Sequence, residues 1–437
     1  MQSVEVIGGG LAGSEAAYQL IKRGIAVKLY EMRPHKLTPA HKSGYLGELV
    51  CSNSLRSTDL TTGHGILKEE LQMADSLIME AARHTQVPAG NCLAVDREAF
   101  AQYITKRLEA SNLIEIIRQE VTELPKENIA IIATGPLTSN TLAQRLQTII
   151  KDEHLFFYDA LAPIIDSDTI DYEKAFFASR YDKGGDDYLN CPMDKNEYDK
   201  FYDALLKADS VSARDFEQNK VFEGCMPIEI MAQRGRDTLR FGPLKPVGLL
   251  LPKTKRQAYA VVQLRAENAA KTSYNMVGCQ TRLKYGHQEQ VFRLIPGLEK
   301  AEFLRFGSIH RNTYINSPLY LNKDLSFKSQ NNLYLAGQIT AVEGYLESTA
   351  IGLLAGIFIS HRLKGFLSSP VVPSTTAHGA LINYITTERP IQIEPSNINI
   401  GLFPPLEEKI KDKKQKRAAI SKRALYDWKH YLKEALS

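Results

Sequence analysis

Two cysteines stand among neighbours that suit nucleophilic chemistry. Cys225 lies in the run Phe222-Glu223-Gly224-Cys225-Met226-Pro227-Ile228-Glu229, with Arg234, Arg236 and Arg240 shortly downstream. Cys51 lies in the polar run Gly47-Glu48-Leu49-Val50-Cys51-Ser52-Asn53-Ser54-Leu55-Arg56. A thiolate is the best side-chain nucleophile near neutral pH once a cation or a helix N-terminus favours it. Either thiol could attack an electrophilic carbon such as C6 of a pyrimidine ring. Either is equally readable as a small buried apolar residue, and spacing alone does not choose. Cys92, Cys191 and Cys279 have neighbours that suggest burial only. His310-Arg311-Asn312-Thr313-Tyr314 reads as the wall of a pocket for a flat heteroaromatic ligand, or equally as a structural loop. Thr238-Leu239-Arg240-Phe241-Gly242-Pro243-Leu244-Lys245-Pro246-Val247-Gly248 presents cations on a loop stiffened by glycine and proline.

The five cysteines are odd in number, widely spaced and free of C-x-x-C, which argues for a reducing, cytoplasmic setting without a structural metal site. No apolar run approaches the roughly 20 residues that cross a bilayer, so no membrane partner is expected. The chain enters a fold strand at once, leaving no room for a signal peptide. Net charge is +4 over 437 residues, but Lys409 to Lys433 holds ten Lys or Arg against Asp412 and Asp427. That tail therefore carries +8 and the remainder about −4, a local basic character that suits a polyanionic partner.

The elements that must position this chemistry begin at Val4. Val4, Val6 and Ile7 read as a buried strand, Gly8-Gly9-Gly10-Leu11-Ala12-Gly13 follows directly, and Ser14 to Arg23 has helical spacing. Ile25 to Tyr30 reads as a second strand ending at Glu31. This is G-x-G-x-x-G in its proper setting: Gly8 for the turn, Gly10 for approach to a pyrophosphate, Gly13 for helix–strand contact. The helix N-terminus offers free N–H groups to phosphate, and Glu31 stands where an acid grips a ribose.

Helices are expected over Leu67 to Ala82 and Arg97 to Ala110, and strands over Ile114 to Gln119 and Ile129 to Ala133. Residues 156–316 lose the βαβ rhythm and read as an inserted domain. Asn332 to Gln338 is again a strand ending at Gly337, followed by Glu343-Gly344-Tyr345 and a small-residue helix, Ser348 to Leu363. Two dinucleotide-type elements some 300 residues apart argue for FAD held by both parts of one discontinuous domain. The expected class is thus α/β, a Rossmann-like FAD-binding domain (1–155 and 317–367) with an inserted α+β substrate domain. From Ser368 to Pro405 six prolines suggest a linker, ahead of a basic helix with Ile420, Ala424, Leu425, Trp428 and Leu432 on a docking face.

Several long motifs together resemble one family, the folate- and FAD-dependent tRNA (uracil-5-)-methyltransferases, TrmFO, of the GidA-related flavoprotein group. They are VIGGGLAGSEAA, YEMRP from Tyr30, ELVCSNSLRS from Glu48, FEGCMPIE from Phe222, DTLRFGPLKPVGL from Asp237 and LYLAGQITAVEGYLES from Leu333. The resemblance runs from Val4 to about Gly365. It implies methylation of a tRNA uridine at C5, customarily uridine 54 of the T loop. Methylenetetrahydrofolate gives the carbon, FAD the reducing equivalents, and NADH or NADPH reduces the flavin. Cys225 matches the family's nucleophile and Cys51 its second functional thiol. His310 matches a histidine that stacks on the pterin, and Tyr345 an aromatic residue that can lie against the flavin. Gly8, Gly9, Gly10, Leu11, Ala12, Gly13, Glu31, Gly337 and Gln338 complete the expected FAD contacts. Trp428 and Tyr431 of the basic tail would suit phosphate contact. The residues leave three rivals open: the same chemistry on 23S ribosomal RNA, GidA-type modification of wobble uridines, and a flavin-containing RNA-binding module without turnover.

Overall fold

The computed structural model describes residues 3–38, 40–150, 155–182, 185–211, 226–366, 368–388 and 393–436. Its centre is a six-stranded sheet in the order Ser326–Phe327, Gln330–Leu335, Ala130–Ile132, Val4–Ile7, Val27–Tyr30, Ile114–Ile117. All neighbours are parallel except the first pair. Val4, Val6, Leu29 and Ile131 are buried, as expected of strands covered on both faces. The first strand lies inside the sheet with crossovers leaving to either side, so a crevice opens at its carboxyl end.

Helix α1 (Leu11–Ile21) follows the first strand. Further along the chain come α2 (Gly63–Met73), α3 (Tyr345–Leu363), α4 (Ala377–Thr386) and α5 (Lys413–Leu436). Helices α1 and α3 pack at backbone distance. A Cβ on Gly352 would sit 2.2 Å from the Ala12 carbonyl oxygen, and one on Gly356 would sit 2.8 Å from Gln19 Cβ. Both N-termini are thereby brought to one crevice.

A second six-stranded sheet, antiparallel throughout, is built from chain between Ile164 and Arg305. The two passages between the sheets, Leu155–Ala160 and Ile309–Tyr314, pair with each other as an antiparallel ribbon.

Three expectations need correction. The helix foreseen over Leu67 to Ala82 is two, Gly63–Met73 and Leu77–His84, because Asp75 takes a φ of 53° and ends the first. The proline-rich stretch is no mere linker: Ala377–Thr386 is helical and largely buried, and prolines flank rather than interrupt it. Trp428 and Tyr431 of the basic tail are not available to phosphate. Trp428 and Tyr431 are buried with Ile420, Ala424 and Leu432 in the same core as Val4 and Leu29. An apolar i, i+4 stripe gains more by burial than its flanking cations lose, since those remain at the surface.

Candidate active site

Each glycine of the first turn has its own duty. Gly8 takes a φ of 104°, and its Cβ position is blocked by the Ala133 carbonyl oxygen at 2.6 Å. A Cβ on Gly13 would lie 1.8 Å from the Gly8 carbonyl oxygen, so only glycine lets α1 start this close to the strand. Gly10 is different. Nothing lies within 4 Å of its Cβ position, which opens on the crevice. Gly8, Gly10, Leu11, Ala12, Glu31, Gly337, Gln338 and Tyr345 all line one elongated cleft along the ends of the strands. Gly9 and Gly13 support it from behind.

Glu31 is buried against the turn. Its Oε2 accepts the Gly9 N–H at 2.9 Å, and Arg33 donates to both carboxylate oxygens at 3.0 Å. Burial opposes the charge, yet Arg33 and the Gly9 amide outweigh it and hold the carboxyl below its ordinary range. An ionised acceptor thus waits beside the turn for a ribose hydroxyl. At the other end of the cleft the N-terminus of α3 follows Gly344, whose φ is 116°. These residues fit a dinucleotide: an unobstructed glycine and free amides for pyrophosphate, an ionised acid for ribose, and a second helix N-terminus for the distal ring.

The cleft runs into a second cavity. Val50, Pro136, Leu137, Gln338 and Tyr345 line both, while Cys51, Ser52, Arg56, Arg265, Asn275, Gln280 and Glu347 belong to the second. Cys51 is half-buried there. Its backbone N–H and that of Ser52 both donate to the Tyr345 phenol oxygen, at 2.8 and 3.2 Å. Burial, and then the nearby Cys51 sulfur, raise the Tyr345 hydroxyl above its ordinary range, so it stays protonated.

Three arginines fasten the Cys51 loop. Arg97 donates to the Leu49 carbonyl. Arg305 donates to the carbonyls of Val50 and Cys51, each at 3.1 Å. Arg265 reaches Asn53 Oδ1 and the Ser52 hydroxyl, both at 2.8 Å. Arg265 and Arg305 come from the antiparallel sheet, so the thiol loop is pinned between the two sheets. None of the three was foreseen as a site residue. Arg305 stands 254 positions from Cys51, and no local pattern links them.

The antiparallel sheet supplies the cavity's far wall. Asn275 is 4 % exposed, and its Nδ2 has no hydrogen-bond partner among the described residues. It offers a polar contact to whatever occupies the cavity. Cys225 lies outside the described residues. The chain after it is anchored at this wall, because the Ile228 N–H donates to the carbonyl of Gln280 at 2.7 Å. Of His310 only the backbone is described, on the inter-sheet ribbon opposite Asp159.

At the rim, Glu347 in the first turn of α3 faces His64 of α2, with Oε1 3.4 Å from Nε2. Burial lifts the Glu347 carboxyl to about 7. Burial, then Arg56 and Lys68, drops His64 to about 4. Glu347 falls within one of the long motifs, but its partner His64 comes from a distant helix, so nothing local marks the pair. Among the described residues no group of three or more His, Cys, Asp or Glu could hold a metal ion, and no helix is long and apolar enough to cross a membrane.

A discontinuous parallel sheet, two helix N-termini on one crevice and an open glycine beside an ionised acid define a flavoprotein of the FAD-binding Rossmann class. Comparison with known proteins narrows this. The family of glucose inhibited division protein A, GidA, matches residues 3–366. Two crystal forms of Aquifex aeolicus GidA share the fold, with TM-scores of 0.66 and 0.67 at 17 % and 16 % identity. They cover 89 % and 99 % of this chain, which covers 68 % and 78 % of theirs. The chain is 56 % identical over 432 residues to methylenetetrahydrofolate–tRNA-(uracil-5-)-methyltransferase TrmFO of Geobacter sulfurreducens, covering 98 % of this chain and 99 % of that one. It is 55 % identical over 425 residues to the TrmFO of Desulfitobacterium hafniense, with 97 % of each chain covered. The chain belongs to the GidA family and, within it, to the TrmFO methyltransferases.

Proposed function

We propose that this chain methylates C5 of a uridine in tRNA, uridine 54 of the T loop, with methylenetetrahydrofolate as carbon donor and FAD as bound cofactor. Bound FAD supplies the two electrons that complete a methylene carbon to methyl, with NADH or NADPH as their source. The observation that carries the reading is the seating of Cys51: a thiol loop fastened to Tyr345 where a dinucleotide cleft opens into a second, polar-walled cavity.

The chain's residues divide the work. Uracil C5 is a poor nucleophile until a thiolate adds to C6, which places negative charge on C5 and O4. Cys225 fills that role and leaves again once C5 has lost its proton. Cys51 assists removal of that proton or handling of the methylene carbon. His310 is assigned to the pterin. Tyr345 and the three arginines keep Cys51 in place, and the target base enters after extrusion from the folded T loop.

The test is methyl transfer by the purified, FAD-containing protein to an unmodified tRNA transcript, with NADPH and folate carrying a labelled methylene. Label in 5-methyluridine, absent when S-adenosylmethionine replaces the folate, is the expected result. Label confined to ribosomal RNA would move the reaction to that substrate. No label from a reducible flavoprotein would leave an RNA-binding module without turnover. Turnover by Cys225→Ala would remove Cys225 as the nucleophile.

A further inference from the structure

We infer that the loop from Phe241 to Arg256 is the protein's RNA-docking platform, with Phe241 stacking on a nucleobase outside the reaction cavity and Lys245, Lys253, Lys255 and Arg256 contacting backbone phosphates. The inference rests on the reading that RNA is the substrate, and it assigns that substrate a surface.

Phe241 is 83 % exposed, an unusual state for a phenylalanine on an ordered turn. Val247 and Leu250, at 46 % and 54 %, extend the apolar surface beside it. The loop is nonetheless rigid. Leu244 and Leu249 are buried beneath it, and the Arg240 guanidinium lies 3.6 Å from the centroid of the Tyr259 ring. Arg180 donates to the Val247 carbonyl at 2.7 Å, and the Val261 N–H to the Leu244 carbonyl at 3.0 Å. An aromatic ring shown on a fixed backbone binds with little entropy left to lose.

The charge around it selects the partner. Lys245, Lys253, Lys255 and Arg256 are exposed and have no ion pair among the described residues. From Arg234 to Arg256 the only acid is Asp237, and it is paired with Arg240. Lysine is depleted at protein–protein contacts, whereas unpaired cations interleaved with an exposed ring suit a nucleic-acid strand.

Position ties the platform to the site. A Cβ on Gly278, which lines the second cavity, would lie 2.5 Å from Pro243 Cβ, so Pro243 rests against the cavity wall. Phe241 is two residues from Pro243. A strand lying on the platform therefore lies against a wall of the cavity that a base must enter.

Binding of an unmodified tRNA transcript to the FAD-loaded protein, measured against salt, comes first, because failure of the wild type to bind would reject the RNA reading itself. With binding established, Phe241→Ala should weaken affinity about tenfold, and Phe241→Trp should restore it, since stacking tolerates any flat ring. Replacing the four exposed cations by alanine should lower the slope of log affinity against log salt by about 3, at roughly 0.7–0.9 for each phosphate no longer neutralised. Flavin content checks that each variant folds. Unchanged affinity and unchanged salt slope in folded variants would overturn the proposal. So would sedimentation as a dimer that Phe241→Ala dissociates, which would make the patch an interface between two copies of the chain.

Discussion

The phenol oxygen of Tyr345 accepts the backbone N–H of Cys51 at 2.8 Å, joining the first turn of α3 to the thiol loop across 294 residues of sequence. Two amides share this one oxygen, so its removal strands two donors in a buried place. Tyr345→Phe should cost about 1–3 kcal/mol of stability for the buried amides. Methyl transfer should fall further than FAD binding, because the thiol moves while the cleft remains. Equal losses in the two measurements would show that Tyr345 acts only on the cofactor.

Gly10 and Gly13 make a paired prediction. The Cβ position of Gly10 is open, whereas that of Gly13 lies 1.8 Å from a backbone oxygen. Gly10→Ala should give a folded protein that purifies without its yellow colour, as the methyl group enters the pyrophosphate's path. Gly13→Ala should fail to fold. Absorbance of bound flavin, read beside a thermal melt, distinguishes the two. A yellow Gly10→Ala would place the phosphates elsewhere.

The Glu347–His64 pair predicts a hidden pH dependence. Glu347 is raised from 4.5 to about 7, so between those values the folded chain keeps a proton the unfolded chain has lost. Its contribution to stability falls as pH rises through that window. His64 is lowered from 6.5 to about 4, so there the unfolded chain holds the extra proton and stability rises with pH. Each shift is worth about 3 kcal/mol, and over the shared window the two slopes oppose each other. Glu347→Gln leaves the His64 slope alone. Urea denaturation of that variant should show stability climbing between pH 4 and 6.5, and climbing relative to wild type between pH 4.5 and 7. Parallel profiles for the two proteins would refute the raised Glu347 carboxyl.

The C-terminal helix is predicted to be structural. Trp428, the only tryptophan, stacks on His378 with centroids 4.1 Å apart and donates its indole N–H to the Glu70 carbonyl at 2.7 Å. The Glu70 carboxylate in turn accepts the backbone N–H groups of Ala377 and His378, at 2.7 and 3.0 Å. Trp428→Ala should cost about 3–5 kcal/mol, seen as a lowered denaturation midpoint. The salt slope of RNA binding should stay at its wild-type value, since the ring is buried. A loss of RNA affinity without loss of stability would return the aromatic residues of the tail to phosphate contact.

Local patterns in the sequence were enough for the nucleotide-binding half. Gly8 to Gly13, Glu31 and the strand ending at Gly337 act through backbone conformation and short spacing, which a chain carries in its own order. The TrmFO motifs were legible as a family for the same reason: each is an unbroken run, and Cys51 and Tyr345 lie in two of them. The docking face of the last helix was legible from its i, i+4 apolar stripe, but not what lay beneath it. Only the folded chain decided that Trp428 meets His378 and Glu70, that Arg97, Arg265 and Arg305 close on the Cys51 loop, and that Glu347 meets His64. Those interactions join residues tens to hundreds of positions apart. Their strength comes from burial, which removes competing water and raises the cost of any unpaired charge, and burial is a property of the tertiary structure rather than of any local run of residues.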